Sequence, residues 1–157
     1  ERQEVLAMLS EKYPCHLYTH KKTPSLPNTI NRGTAANRKE SCFIFRSSKI
    51  NLNITLRSIR TGIPLRAFEI MGSGGFLMTN YQEDFLDFFE PGVDFAYYDS
   101  YEDLLGKVEY YLTHEEERQI VARNGYEKVK KYHTYRNRFD TMLKIMNLEQ
   151  TDGVDYD

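Results

Sequence analysis

At 157 residues the chain has the length of one domain and leaves little room for two. Its 40% hydrophobic and 28% charged residues are ordinary for a globular protein, and burial of roughly two-thirds of the unfolded surface at this size makes a stabilising disulfide or metal unnecessary. A net charge of −2 excludes the broad basic surface of a nucleic-acid binder, and no apolar run approaches the ~18 residues of a membrane span.

Val5, Leu6, Met8 and Leu9 predict a helix over 2–13, stopped at Pro14. A short strand is predicted at 16–19. Residues 20–40, with Pro24, Pro27 and Gly33, read as a long loop of the kind that is usually functional. The segment 41–47 fits either a helix or a buried strand. Alternation of Ile50, Leu52 and Ile54 with polar residues predicts a strand over 50–55, with Asn51 and Asn53 on its other face. Pro64 suits the first turn of a helix carrying Leu65, Phe68, Ile70 and Met71, and Gly72 and Gly74 supply its stop. The run 75–79 predicts a strand buried on both faces. A short helix over 82–89 and a strand over 94–98 follow.

The last third is helical. Tyr101, Leu104, Leu105, Val108 and Leu112 form an amphipathic stripe. Thr113-His114-Glu115-Glu116 predicts a capping box opening the next helix, and Thr134 predicts the cap of a last helix whose Phe139, Met142, Leu143 and Met146 share a face. The alternation of strands and helices is that of an α/β domain with a mostly parallel sheet. An opening helix needs a sheet to pack on, so a strand ahead of it is the expected partner. The start, Glu1-Arg2-Gln3-Glu4, has neither an initiator Met nor a signal-peptide core, as expected of a piece of a longer chain.

The densest constellation runs from Thr61 to Gly75. Gly62, Ile63 and Pro64 lead into a helix whose first-turn N–H groups and dipole suit an anion such as phosphate. Arg66 adds a guanidinium able to grip a pyrophosphate, and Glu69 an acceptor for a pair of vicinal hydroxyls. The alternative is a helix with one surface Arg and one surface Glu. Gly72-Ser73-Gly74-Gly75 is no dinucleotide fingerprint, because it lies between helix and strand and continues to Leu77 where the sixth position requires Gly.

Asn53 and Thr55 fall near the crevice beyond the strand ends, although capping of a neighbouring loop also accounts for the buried Asn pair. Cys15, His16, His20 and Cys42 match no zinc spacing, so no metal is expected. Both thiols should be free in a reducing, cytoplasmic compartment, with Cys42 inert in its apolar run. His133 reads as a helix-terminus residue. Tyr97/Tyr98 and Tyr110/Tyr111 should each put one ring inside and one outside. The cations from Arg123 to Arg138 read as a solvated face.

Taken together, 48–55, 61–66, 68–71 and 74–81 resemble the C-terminal domain of the spore-maturation-type (CgeB-like) glycosyltransferases, and Glu116-Glu117-Arg118, Asn124-Gly125-Tyr126 and His133-Thr134-Tyr135-Arg136 are similar to its helical part. The resemblance covers about 1–147. It implies the C-terminal half of a GT-B fold: a Rossmann-like parallel sheet with helices on both faces and a helical C-terminus. On that likeness 1–148 form a single nucleotide-sugar-binding domain, with 149–157 a flexible acidic tail.

The resemblance further implies a donor, a UDP-sugar before others, held by Gly62, Ile63, Pro64, Leu65, Arg66 and Glu69, with Asn53 nearby and Tyr18, Thr19 and Gly33 along the edge that holds the base. The nucleotide-diphospho-sugar is substrate, and no cofactor or metal is implied. Retaining relatives carry two Glu eight positions apart; Glu69 matches the second, and Thr61 stands at the first. The acceptor-binding N-terminal domain of the same polypeptide would complete the enzyme, and this half alone would bind nucleotide without turnover. The competing expectation is a non-catalytic α/β module on the same fold.

Overall fold

The computed structural model describes residues 2–23, 25–55 and 61–146. The tail at 149–157 lies outside them. Elements follow in the order α1 (Arg2–Ser10), β1 (Cys15–Leu17), β2 (Thr29–Asn31), α2 (Arg38–Ser47), β3 (Asn51–Asn53), α3 (Leu65–Gly72), β4 (Leu77–Asn80), β5 (Ala96–Tyr98), α4 (Tyr101–Thr113), α5 (Glu115–Tyr132) and α6 (Tyr135–Ile145). A single 3-10 turn at Glu83–Phe85 stands where a helix over 82–89 is expected.

Among the described residues every strand pair is parallel, and the strands form two sheets. One is β1–β2 with Cys15 opposite Thr29; the other runs β3–β4–β5, with Asn51 opposite Leu77 and Met78 opposite Ala96. The long loop is therefore shorter than expected, because Thr29–Asn31 pairs with β1 and Arg38 starts α2. Asn37 caps α2 by accepting from the Glu40 N–H, which settles 41–47 as helix.

Alternation along β4 divides the core. Phe76 and Met78 join Val5 and Leu9 of α1 and Leu104 and Val108 of α4 on one face. Leu77 meets Ala67, Ile70 and Met71 of α3 and Phe85, Phe89 and Phe95 on the other. Helices thus cover both faces, and α5 touches both cores through Val121 and Val129. Parallel strands covered this way must be apolar throughout, which is why 75–79 reads so plainly.

The turn from α3 into β4 is a Schellman motif. Gly75 N–H reaches Ile70 O at 3.0 Å, Gly74 N–H reaches Met71 O at 2.8 Å, and Gly74 takes a φ of +79°. At the α4–α5 junction the expected capping box does not form. Thr113 still belongs to α4 and turns its hydroxyl back to Glu109 O and Tyr110 O, while His114 occupies the cap position with no side-chain bond to the N–H groups of α5. Thr134 does cap α6, in a reciprocal box with Asn137.

Candidate functional site

The carboxyl ends of β1 and β3 face a cleft of about 1010 Å³. Chain order runs outward from it both ways, β1 to β2 on one side and β3 to β4 to β5 on the other. It therefore lies at the switch point where open parallel sheets hold ligands. Tyr18, Thr19, Asn53, Pro64 and Arg66 line it. Its described charged lining is Arg2, Lys21, Lys22 and Arg66 against Glu4 alone, a balance that attracts anions.

The approach to α3 needs Gly62, whose φ is +91°. Pro64 occupies the cap position, one residue ahead of the expected first turn, with φ −59° and ψ 140°. In the first turn of α3 the Ala67 N–H donates to Pro64 O at 2.9 Å, and helix geometry gives the Leu65 and Arg66 N–H groups no intrahelical acceptor. The Gly62 N–H is engaged by the Asp84 carboxylate. Ile63 packs against the second core cluster.

Arg66 stands between two clefts. It lines the first, and with Leu65, Glu69, Cys42, His133 and Arg138 it also lines a second of about 640 Å³. Its guanidinium is 5.5 Å from the Phe45 ring centroid, and Nη1 is 3.3 Å from Glu69 Oε2. The Arg66 side chain is 56% exposed and that of Glu69 38%, so solvent screens this pair. Glu69 and the exposed Leu65 line only the second cleft, so the Gly62–Glu69 segment is divided between the two surfaces.

The Asn pair is buried, as the spacing implies. Asn51 Nδ2 donates to Phe45 O at 2.9 Å, fastening α2 to β3. Asn53 Nδ2 donates to Thr79 Oγ1 at 3.1 Å and Thr55 Oγ1 at 3.2 Å. Thr55 N–H donates to Asn80 Oδ1 at 2.8 Å, and its hydroxyl to Gln82 Oε1 at 3.0 Å. This network sets the floor of the cleft beyond β3 and β4. Asn53 therefore touches the cleft while its amide is engaged in holding the loops.

On the opposite rim Tyr18 is exposed, and Thr19 Oγ1 accepts from the Lys21 N–H at 3.2 Å. Gly33 takes a φ of +77°, its N–H donating to Asn31 Oδ1 at 2.9 Å, and it does not line the cleft. Sequence reasoning missed Phe45 beneath Arg66 and Asp84 at Gly62. Phe45 sits in the ambiguous segment and Asp84 is 22 residues away, so neither leaves a local signal.

Burial pushes the Cys15 thiol up, consistent with an unreactive group. Cys42 is exposed on α2, which corrects the expectation from its apolar run: the helix turns that position outward. His133 ends α5, its ring 5.1 to 5.5 Å from those of Phe68, Phe88 and Phe89 and its Nδ1 3.0 Å from Arg138 Nη2. Among the described residues no group of three or more His, Cys, Asp or Glu is placed to hold a metal, and no helix is long and apolar enough to cross a membrane.

Residues 2–144 match the model of the family described as glycosyl transferase-like. The chain belongs to the glycosyl transferase-like family. Among solved structures it is similar to the C-terminal domain of a glycosyl transferase group 1 family protein (LpcC) from Francisella tularensis, with a TM-score of 0.54 and 18% identity. The match covers 68% of this chain and 53% of that one, so the glycosyl transferase-like chain spans about half the length of its neighbour. At that identity the likeness is one of fold, and the fold is that of a GT-B C-terminal domain. No curated protein matches the sequence.

Proposed function

We propose that this glycosyl transferase-like domain is the donor half of a GT-B enzyme, binding a nucleotide-diphospho-sugar, a UDP-sugar before others, in the cleft between β1 and β3. The observation that carries the reading is the meeting of Tyr18, Thr19, Pro64 and Arg66 around a cation-rich cleft at the carboxyl ends of parallel strands. In this reading Arg66 and the N-terminal end of α3 hold the diphosphate and stabilise the charge that develops as the nucleotide departs. Tyr18 and Thr19 border the base, with Gly33 shaping the adjoining turn. Glu69 lines the second cleft beyond Arg66, so once released from Arg66 it would accept from the ribose hydroxyls only where the nucleotide reaches past Arg66.

The acceptor would be held by an N-terminal domain of the same polypeptide, so the 157-residue chain would bind nucleotide without transferring sugar. The likeness to the spore-maturation-type branch of the family belongs to this proposal. One observation favours the non-catalytic reading, namely Thr61 in the place of the first Glu of retaining relatives.

Calorimetry with UDP tests the proposal. Loss of one charge-assisted contact to phosphate costs about 1.5–3 kcal/mol, so Arg66→Ala should weaken binding roughly ten- to a hundredfold. Equal affinities for the two proteins would remove Arg66 from the site.

A further inference from the structure

Helix α6 concentrates the exposed apolar side chains of the described chain. Tyr135, Phe139, Met142 and Met146 follow one another at intervals of four, three and four, which places them in one stripe, and Ile145 borders it. All five are between 55% and 78% exposed, and α6 buries none of its side chains. No other described helix exposes more than two large apolar residues. Single exposed apolar residues are ordinary, but a continuous stripe marks a surface that meets a partner. A helix of 11 residues is also marginal in water unless its apolar face is buried.

The charges around the stripe indicate the partner. From Lys130 to Met146 the chain carries Lys130, Lys131, Arg136, Arg138 and Lys144 against Asp140 alone, all exposed, while the whole chain has a net charge of −2. On the helix Arg136 and Arg138 fall at the two margins of the stripe, with Asp140 and Lys144 behind it. A second copy of the chain would bring two such cationic faces together, and like charges disfavour that pairing. An anionic lipid surface satisfies both properties at once. The stripe would enter the boundary between headgroups and acyl chains while the flanking guanidinium and ammonium groups reach the phosphates. Tyr132 and Tyr135, at the junction of α5 and α6, have the amphipathic rings that prefer that boundary. The helix is about 16 Å long, half the ~30 Å of a hydrocarbon core, so it would lie in the surface rather than cross it.

We propose that α6 is a membrane-surface helix, seating the stripe of Tyr135, Phe139, Met142 and Met146 on a bilayer that displays anionic headgroups. The proposal rests on exposure and charge, and it stands or falls independently of nucleotide binding.

Flotation of the 157-residue protein without nucleotide tests it, using vesicles of equimolar phosphatidylglycerol and phosphatidylcholine beside vesicles of phosphatidylcholine alone. At low ionic strength the protein should bind the mixed vesicles at least about tenfold more tightly than the neutral ones, and added salt should release it. Lys131→Gln combined with Arg136→Gln should weaken binding about twentyfold, since each cation near an anionic surface contributes roughly a factor of five. Phe139→Ser combined with Met142→Ser should weaken it by about tenfold or more, with the chemical shifts of the sheets unchanged. The chain has no Trp, so Phe139→Trp places a single fluorophore in the stripe, and its emission should move to the blue on the mixed vesicles. No binding to the mixed vesicles at low salt, equal binding to the neutral ones, or unchanged binding by the Phe139→Ser, Met142→Ser protein would overturn the proposal.

Discussion

Arg66 engages Glu69 and the Phe45 ring, and a bound diphosphate must compete with both. An exposed ion pair three residues apart on a helix contributes roughly 0.5 kcal/mol or less, whereas charge-assisted bonds to phosphate contribute about 1.5–3 kcal/mol each. In the proposed site the anion would therefore win over the ion pair, and Glu69 would be freed on binding. Gly125 illustrates a different constraint. A Cβ there would lie 2.4 Å from Asp94 O and 3.3 Å from Met71 Sδ, because α5 crosses close over the chain entering β5. Alanine gains about 1 kcal/mol of helix propensity, but the contact is with backbone and cannot swing aside. Gly125→Ala should therefore destabilise the fold by about 1–3 kcal/mol net in denaturant titration, as overpacked sites do.

His133 carries a pH dependence. Burial among aromatic rings, then Arg138 and Lys128, hold its pKa below the ordinary value of 6.5. The unfolded chain takes up the proton more readily, so the stability is complete above about pH 6.5 and declines as pH falls through that value towards the folded pKa. The thermal midpoint should drop between about pH 7.5 and about pH 5.5, and His133→Phe should make the drop smaller. An unchanged drop in the variant would assign it to other groups.

The elements differ in how far local chemistry decides them. Helix α6 buries none of its side chains, leaving Phe139, Met142 and Ile145 exposed, so its cap contributes a large share of its stability. Thr134→Ala removes the acceptor for the Asn137 N–H and should cost α6 about 1 kcal/mol, read as a loss of helical carbon shifts over 135–145 with the sheets unchanged. Thr134 was legible in the sequence for the same reason: nothing tertiary competes with it. Thr113 offered an equally good pattern and misled, because the α4 stripe carries the helix through Thr113 and the cap position falls to His114. Strand β4 was legible because burial on both faces removes polar residues from it. Strand β2 was hidden, since Ile30 is exposed at a sheet margin and only pairing with β1 makes the segment a strand.

At the scale of the molecule, the alternation of elements revealed a parallel α/β domain. The order of strands across the cleft was not legible, because pairing joins residues far apart in the chain and leaves no periodicity. The candidate site was partly legible for the same reason. The Gly62–Arg66 approach to α3 is local and could be read, while its assembly with Tyr18 and Thr19 across the switch point depends on topology. Their meeting in one cation-rich cleft is what the functional proposal rests on. Amide chemical-shift mapping during a UDP titration of the 157-residue protein tests it most directly. Saturable shifts at Tyr18, Thr19, Leu65 and Arg66, absent in Arg66→Ala, are the predicted result; no saturable shift at these amides would contradict the account.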